Sequence, residues 1–423
     1  MALKKIHYRE FLKKAGEKVN EITILQYIFI VLFVIAFILV IYNPIKFTPD
    51  PPLRYVAQII EKGYINCFPD NMKFETGKPV IAEPSGVVFF HNKLYFVNDS
   101  PIPGFPPLMI TDFIIPFNQK EVVYAGNDYV RNADKFEAMT ISTDQQYMFM
   151  ITAFNKYEPD DSKSDRNNVL LYKKLEPEGE EKIAYPSTRD SIDSSVKLRP
   201  ALKEALRTLR YPDGPEVFKI EGLASLPGNI LLIGVRAFGK TGKNPEFCVK
   251  IVGAKYKIEQ GEFIFTEKLK EYYSFDPKQN DIIVEELIRI CPNIEFAKKN
   301  LGLSSIEFDV FNNRLLILTS YEFGKNDTDV GAFLWMVDIK DFYKRKYPEL
   351  LMTDKKTPLR FSHKAEGLTV LDRENIFVIH DDDKITGSDI ILDPQNQFNR
   401  KLNQAAYNIV RIYSTEEDKN SLE

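Results

Sequence analysis

The sequence predicts an all-β protein: a five- or six-bladed β-propeller with helical insertions, preceded by one transmembrane α-helix. Three observations carry this expectation. An apolar run free of charge lies near the N-terminus. Beyond it, one hairpin pattern recurs five times. The composition is rich in Phe and Tyr (31 and 21 copies, against a single Trp), which suits pleated, half-buried surfaces better than helical bundles.

The apolar run covers residues 22–43, and from Tyr27 to Tyr42 every residue is apolar. A helix of that length crosses a hydrocarbon core about 30 Å thick. Tyr27 and Tyr42 stand where interfacial aromatics belong, and Pro44 stops the helix. No small-residue cleavage site follows, so the segment reads as an uncleaved signal anchor. Residues 1–21 hold Lys4, Lys5, Arg9, Lys13, Lys14 and Lys18 against three glutamates. This excess places the N-terminus in the cytoplasm and the C-terminal domain in the periplasm or outside the cell. The lipid bilayer is thus the first expected partner. Residues 44–54 are Pro-rich and read as an extended linker, leaving 55–423 for the propeller.

The whole chain carries a net charge of −4, and the basic N-terminus makes the outer domain more acidic still. With no basic stripe, nucleic acid is not expected as a partner. Cys67, Cys248 and Cys291 match no metal knuckle, and their odd number leaves at least one unpaired within the chain. They read as buried apolar thiols, with one disulfide in an oxidising compartment as the alternative.

The recurring pattern is a short apolar strand opened by Glu or Ser, a polar turn, and a second apolar strand. Its copies open at Glu83-Pro84-Ser85-Gly86, Glu137-Ala138, Glu221-Gly222, Ser304-Ser305 and Glu366-Gly367. Repetition of about four strands per unit is the signature of a propeller, here with insertions. A two-domain β arrangement is the alternative. Residues 55–67 are expected to add an outer strand to the last blade and close the ring. Two insertions read as helices. Residues 196–210 place Leu198, Leu202, Leu206 and Leu209 on one face, and residues 281–300 are interrupted at Pro292. Asp160, Asp161 and Asp165 read as part of a solvated loop.

In a propeller the first strand of each blade lines the central channel. Glu137, Glu221 and Glu366 are therefore expected to converge on one mouth, with Ser85 and Ser304 at the equivalent positions and Glu83 close by. Clustered carboxylates repel unless a cation or a proton offsets them. Hard oxygen ligands at that density suit Ca²⁺, so Glu83, Asp99, Glu137, Glu221 and Glu366 are the expected metal ligands. Arg236 stands out as the counter-charge. No nucleophile elbow, P-loop, zincin helix or dinucleotide fingerprint occurs.

The stretches KIEGLASLPGNILLIGVRAFG (219–239), KAEGLTVLDRENIFVIHDDD (364–383) and EPSGVVFFHNKLYFVNDS (83–100) resemble the esterase-like phytase family and related uncharacterised bacterial propellers. The resemblance implies a secreted or anchored propeller with phosphoesterase activity and a divalent cation, and it points to Glu221, Arg236, Glu366 and Asp381 as catalytic. A second resemblance, to membrane-anchored six-bladed lactonases and strictosidine-synthase-like proteins, rests on the anchor and the early Glu-Pro-Ser stretch. Two functions follow as expectations. One is a calcium-dependent hydrolase of small esters or phosphoesters. The other is a non-catalytic scaffold that docks a ligand or a membrane-protein partner.

Overall fold

The computed structural model describes residues 53–415, apart from 115, 117–118, 120, 159–161, 190–191, 292, 324–329, 382–389 and 393–398. It also describes Gln26, Phe29, Ile30 and Leu32, all helical. The chain divides into two units, Met1–Pro52 and Leu53–Glu423. Most of the expected anchor lies outside the described residues. Among these, no helix is long and apolar enough to cross a membrane.

The second unit is a five-bladed β-propeller. Blade 1 is β2 (Pro84–Phe90), β3 (Lys93–Asn98), β4 (Leu108–Asp112) and β5 (Val123–Ala125), paired in that order. Blade 2 is β6 (Phe136–Ile141), β7 (Tyr147–Thr152), β8 (Leu170–Lys174) and β9 (Glu181–Ile183), followed by a small hairpin, β10 (Ser187–Arg189) with β11 (Ile192–Ser194). Blade 3 runs β12 (Val217–Leu226), β13 (Ile230–Gly239) and β14 (Glu246–Glu259). The long β14 pairs with both β15 (Glu262–Phe265) and β16 (Lys270–Phe275). Blade 4 runs β17 (Gly302–Asp309), β18 (Arg314–Glu322) and β19 (Val330–Asp338), with β20 (Glu349–Leu350) and β21 (Arg360–Phe361) both on β19.

The last blade joins the two ends of the propeller. It begins with β22 (Ala365–Val370) and β23 (Asn375–His380), and a hairpin, β24 (Ile390–Leu392) with β25 (Asn399–Lys401), follows. β26 (Gln404–Ser414) then pairs with β23, and β1 (Tyr55–Asn66) pairs along β26 from Tyr55↔Ser414 to Asn66↔Gln404. The outer strand expected from residues 55–67 is therefore in place, and the blade number is five.

Turn chemistry sets these hairpins. β2 and β3 are joined by His91 and Asn92 alone, both at positive φ (48° and 61°), the backbone of a two-residue turn that matches strand twist. Successive side chains on each strand face opposite neighbouring blades. On β13, Leu231 and Ile233 enter the core shared with blade 2, while Ile230 and Leu232 enter the core shared with blade 4. On β18, Leu315 and Ile317 face blade 3, and Leu316 and Leu318 face blade 5. This two-sided burial is why the strands read as unbroken apolar runs. Five apolar cores result, one in each interface between blades.

The two helical insertions form, with one correction. The segment 281–300 becomes Asp281–Ile290 and Ile294–Asn300, and buries Ile283, Leu287 and Ala297 between blades 3 and 4. The segment 196–210 helps to cover the core between blades 2 and 3 with Leu198, Leu202 and Leu206. Its regular helix ends at Ala205, so Leu209 is fully exposed instead of joining that face. Asp165, at the end of a short helix, Ser162–Asp165, is fully buried instead of solvated, while Asp160 and Asp161 lie outside the described residues. None of the three cysteines is in a disulfide; Cys67 and Cys291 are buried and Cys248 half-buried.

Candidate functional site

The first strands β2, β6, β12, β17 and β22 are neighbours in that cyclic order, with β22 back against β2. They form the wall of the channel. In all five, the pairing with the second strand slips at one residue: Ser85, Glu137, Glu221, Ser304 and Glu366. Each is the extra residue of a β-bulge, which re-aims a side chain out of the regular alternation. The five openings read from the sequence are therefore structurally equivalent. The small residue after each bulge has a packing reason in blade 1. A Cβ on Gly86 would lie 2.8 Å from the Met139 backbone nitrogen, so the inner strands approach too closely there for a side chain.

The carboxylates are buried: Glu137 and Glu221 are 1% exposed, Glu366 and Asp381 2%. Their principal partners are lysines that sequence reasoning missed. Lys135, Lys219 and Lys364 stand two residues before Glu137, Glu221 and Glu366. Lys135 pairs with Asp99 and lies 3.4 Å from Glu137. Lys219 pairs with Glu221 and lies 3.2 Å from Glu137 of the preceding blade. Lys364 sits 2.6 Å from Glu366, 3.4 Å from Asp381 and 3.5 Å from Glu322 of the preceding blade. Arg236 is confirmed as a counter-charge but is one of four. It is the extra residue where β13 slips against β12, and the pairing of β13 with β14 is also irregular there. Its Nη1 donates to Glu221 (2.8 Å), to Ser320 Oγ (2.8 Å) and to the Leu303 carbonyl (3.0 Å). Ser320 continues to Ser304 (3.1 Å), and Ser304 donates to the Ala365 carbonyl of the last blade. A belt of charges and hydroxyls thus links neighbouring blades from Asp99 round to Asp381.

Glu83 lies outside the belt. It occupies the place that Lys135, Lys219 and Lys364 hold in their blades, and its carboxylate accepts from Ser100 within blade 1. Asp99 does join the belt, through Lys135.

The fields inside the belt differ. At Glu137 burial outweighs Lys219 and Lys135, whose help is Coulombic only, and the carboxyl is pushed up to about 8. Glu366 is equally buried, but Lys364, Lys219 and Arg236 outweigh that burial and bring it down to about 2. Among the described residues, no group of three or more His, Cys, Asp or Glu is arranged to hold a metal ion.

At the other end of the channel the five first strands finish around a cavity of about 220 Å³. Phe89, Thr140, Ser225, Glu307 and Thr369, one from each blade, line it. Nothing in the sequence reading pointed there, because Glu307 is a single glutamate within an apolar strand.

No protein-family profile matches the chain, and no curated protein matches it. Among solved structures it is similar to a member of the DUF4221 family from Bacteroides vulgatus: TM-score 0.37, 11% identity, over 86% of this chain and 99% of that one. A protein of unknown function from Bacteroides thetaiotaomicron is similar at TM-score 0.36 and 9% identity, over 84% and 76% of the two chains. A glycosyl hydrolase from Bacteroides ovatus is similar at TM-score 0.38 and 8% identity, over 80% and 85%. Likenesses at this level carry no argument about activity.

Proposed function

We propose that this chain is a membrane-held, extracytoplasmic binding module, with the belt of charges as its internal brace and the opposite channel mouth as its recognition face. The observation that carries this reading is the state of the carboxylates. Glu137, Glu221, Glu366 and Asp381 each have an ammonium or guanidinium within 3.4 Å, where a metal would have to sit. A general base must reach its water and a metal must reach its ligands; these groups are sealed and engaged. The membrane anchoring rests on the apolar run 22–43 and the basic residues before it.

The competing reading is the calcium-dependent hydrolase, with Glu221, Arg236, Glu366 and Asp381 as catalytic residues. One observation favours it. Asp99, Glu137, Glu221, Glu322, Glu366 and Asp381 outnumber Lys135, Lys219, Arg236 and Lys364 in the belt. A cation would offset that excess.

Thermal melting of the intact protein with chelator and then with excess Ca²⁺, beside a phosphoester hydrolysis assay, separates the two. A binding module melts at the same temperature in both and shows no turnover. A calcium-bound site at a hundredfold excess over its Kd would add about 2.7 kcal/mol. A rise in Tm with calcium, or turnover lost in the double variant Glu221→Gln with Glu366→Gln, would overturn our reading in favour of the hydrolase.

A further inference from the structure

The cavity at the far mouth combines features that the charged belt does not use. Its wall holds one carboxyl, Glu307, on β17. Burial holds this group well above the ordinary carboxylate range, and the neighbouring Asp309 adds to the shift. Glu307 Oε2 is sealed from solvent, and no hydrogen-bond donor among the described residues reaches it. A buried polar atom left in this state is costly, while Glu307 as a whole is only half-buried and lines the cavity, so a donor within the cavity meets the carboxyl from its open side. The neighbouring charges do not serve it: Asp309 is itself held by Arg314 Nε at 2.7 Å, and its like charge only repels.

The surroundings set the chemistry of that partner. The walls mix apolar and aromatic side chains, Phe89, Phe308 and Phe311 among them, with hydroxyls, the Gln145 amide and His91. At the rim, Val310 and Phe311 are exposed by 52% and 51%, two consecutive apolar side chains on a turn. That turn is held in shape, because Asp309 accepts from the backbone nitrogens of Phe311 and Asn312, both at 3.1 Å. The rim is thus a built edge rather than a loose tip. A carboxyl with no counter-ion among the described residues, in a cavity lined in part by aromatic side chains, is complementary to a cation with an apolar body.

We propose that this mouth binds a small organic cation of the alkylammonium class, its charged head on Glu307 and its apolar body against Phe89 and Phe311. The inference rests on the binding-module reading and gives it a ligand class. Thr140 and Thr369, which also line the cavity, stand on either side of the channel. Thr369 Oγ1 is already committed, accepting from the Phe89 nitrogen at 3.0 Å.

Calorimetric titration of the intact protein with hexylammonium tests the proposal, with hexanol as the uncharged isostere. Saturable binding of hexylammonium is expected, with hexanol at least about tenfold weaker and Glu307→Gln reducing the ammonium affinity by at least about tenfold. Glu307→Gln keeps the shape of the side chain, so a normal melting curve will accompany the loss. Phe311→Ala, at an exposed site without a folding role, is expected to weaken binding a few-fold. Equal binding to Glu307→Gln, equal binding of hexanol, or no saturable binding would each remove the ammonium site while leaving the binding-module reading in place. Calcium-dependent turnover would remove that reading itself.

Discussion

Replacing Lys219 by Met isolates the belt's contribution to the fold. Lys219 is the cation shared between Glu137 of blade 2 and Glu221 of blade 3. Both carboxylates are almost wholly buried, while the Lys219 side chain keeps 24% of its surface in solvent. Removing one partner of a buried pair costs about 3–5 kcal/mol. The partial exposure of the lysine discounts that range to about 2–4 kcal/mol. Unfolding entropy of about 2.1 cal/mol/K per residue, over the unit Leu53–Glu423, gives roughly 0.8 kcal/mol/K. The expected drop in Tm is therefore about 3–5 °C, read by calorimetry.

Two companions make the measurement specific. Lys257→Met removes a pair of similar length (2.8 Å) whose side chains are 43% and 62% exposed, and it is expected to move Tm by no more than about 1 °C. Lys219→Met with Glu137→Gln removes one of the two carboxyls that Lys219 serves, along with its lysine. Most of the stability should return, with a coupling of at least about 1.5 kcal/mol. If Lys219→Met melts like the Lys257→Met control, or if the double variant recovers nothing, the belt does not brace the blades.

Three further outcomes are expected. Gly86→Ala drives a Cβ to 2.8 Å from the Met139 nitrogen and 2.9 Å from the Ala138 carbonyl carbon. Neither atom can move alone, so the urea midpoint should fall by the equivalent of about 1–3 kcal/mol; an unchanged midpoint would show that the inner strands are free to part. Glu366, held down to about 2 in the fold, contributes stability present above its ordinary range near 4.5 and lost as pH falls through 2. Glu366→Gln should flatten the stability profile in that window, and an unaltered acid limb would contradict the assigned field. Deleting β1 leaves β26 without its outer partner from Gln404 to Ser414, so broad, non-cooperative melting is expected; a sharp transition at the original temperature would show that closure by β1 is dispensable.

Much of this architecture was legible because each blade repeats one local problem. Two-sided burial demands apolar strands, and a narrow channel demands a small residue such as Gly86 after the opening. Those signals stand in the sequence at Glu221-Gly222 and Glu366-Gly367. The bulges were not legible, since a bulge is a relation between two strands rather than a property of one. The lysines were within reach. Lys135, Lys219 and Lys364 each stand two residues before a glutamate, a Lys-x-Glu pattern visible in the sequence. Leu209 misled because helical periodicity says nothing about where a helix stops. Glu307 had no signal: its isolation follows from what five strands together fail to supply.

The pairing of β1 with β26 also governs when this fold can be completed. Tyr55 meets Ser414, so the earliest strand of the propeller must wait for nearly the latest one. Four blades are built from consecutive segments and can pair within themselves, while β1 has its strand partner only in β26. Contacts of such long sequence separation slow folding, and an unpaired strand invites association with other chains. The ring therefore protects the finished protein at the expense of a vulnerable interval during synthesis. That interval ends only when β26 emerges.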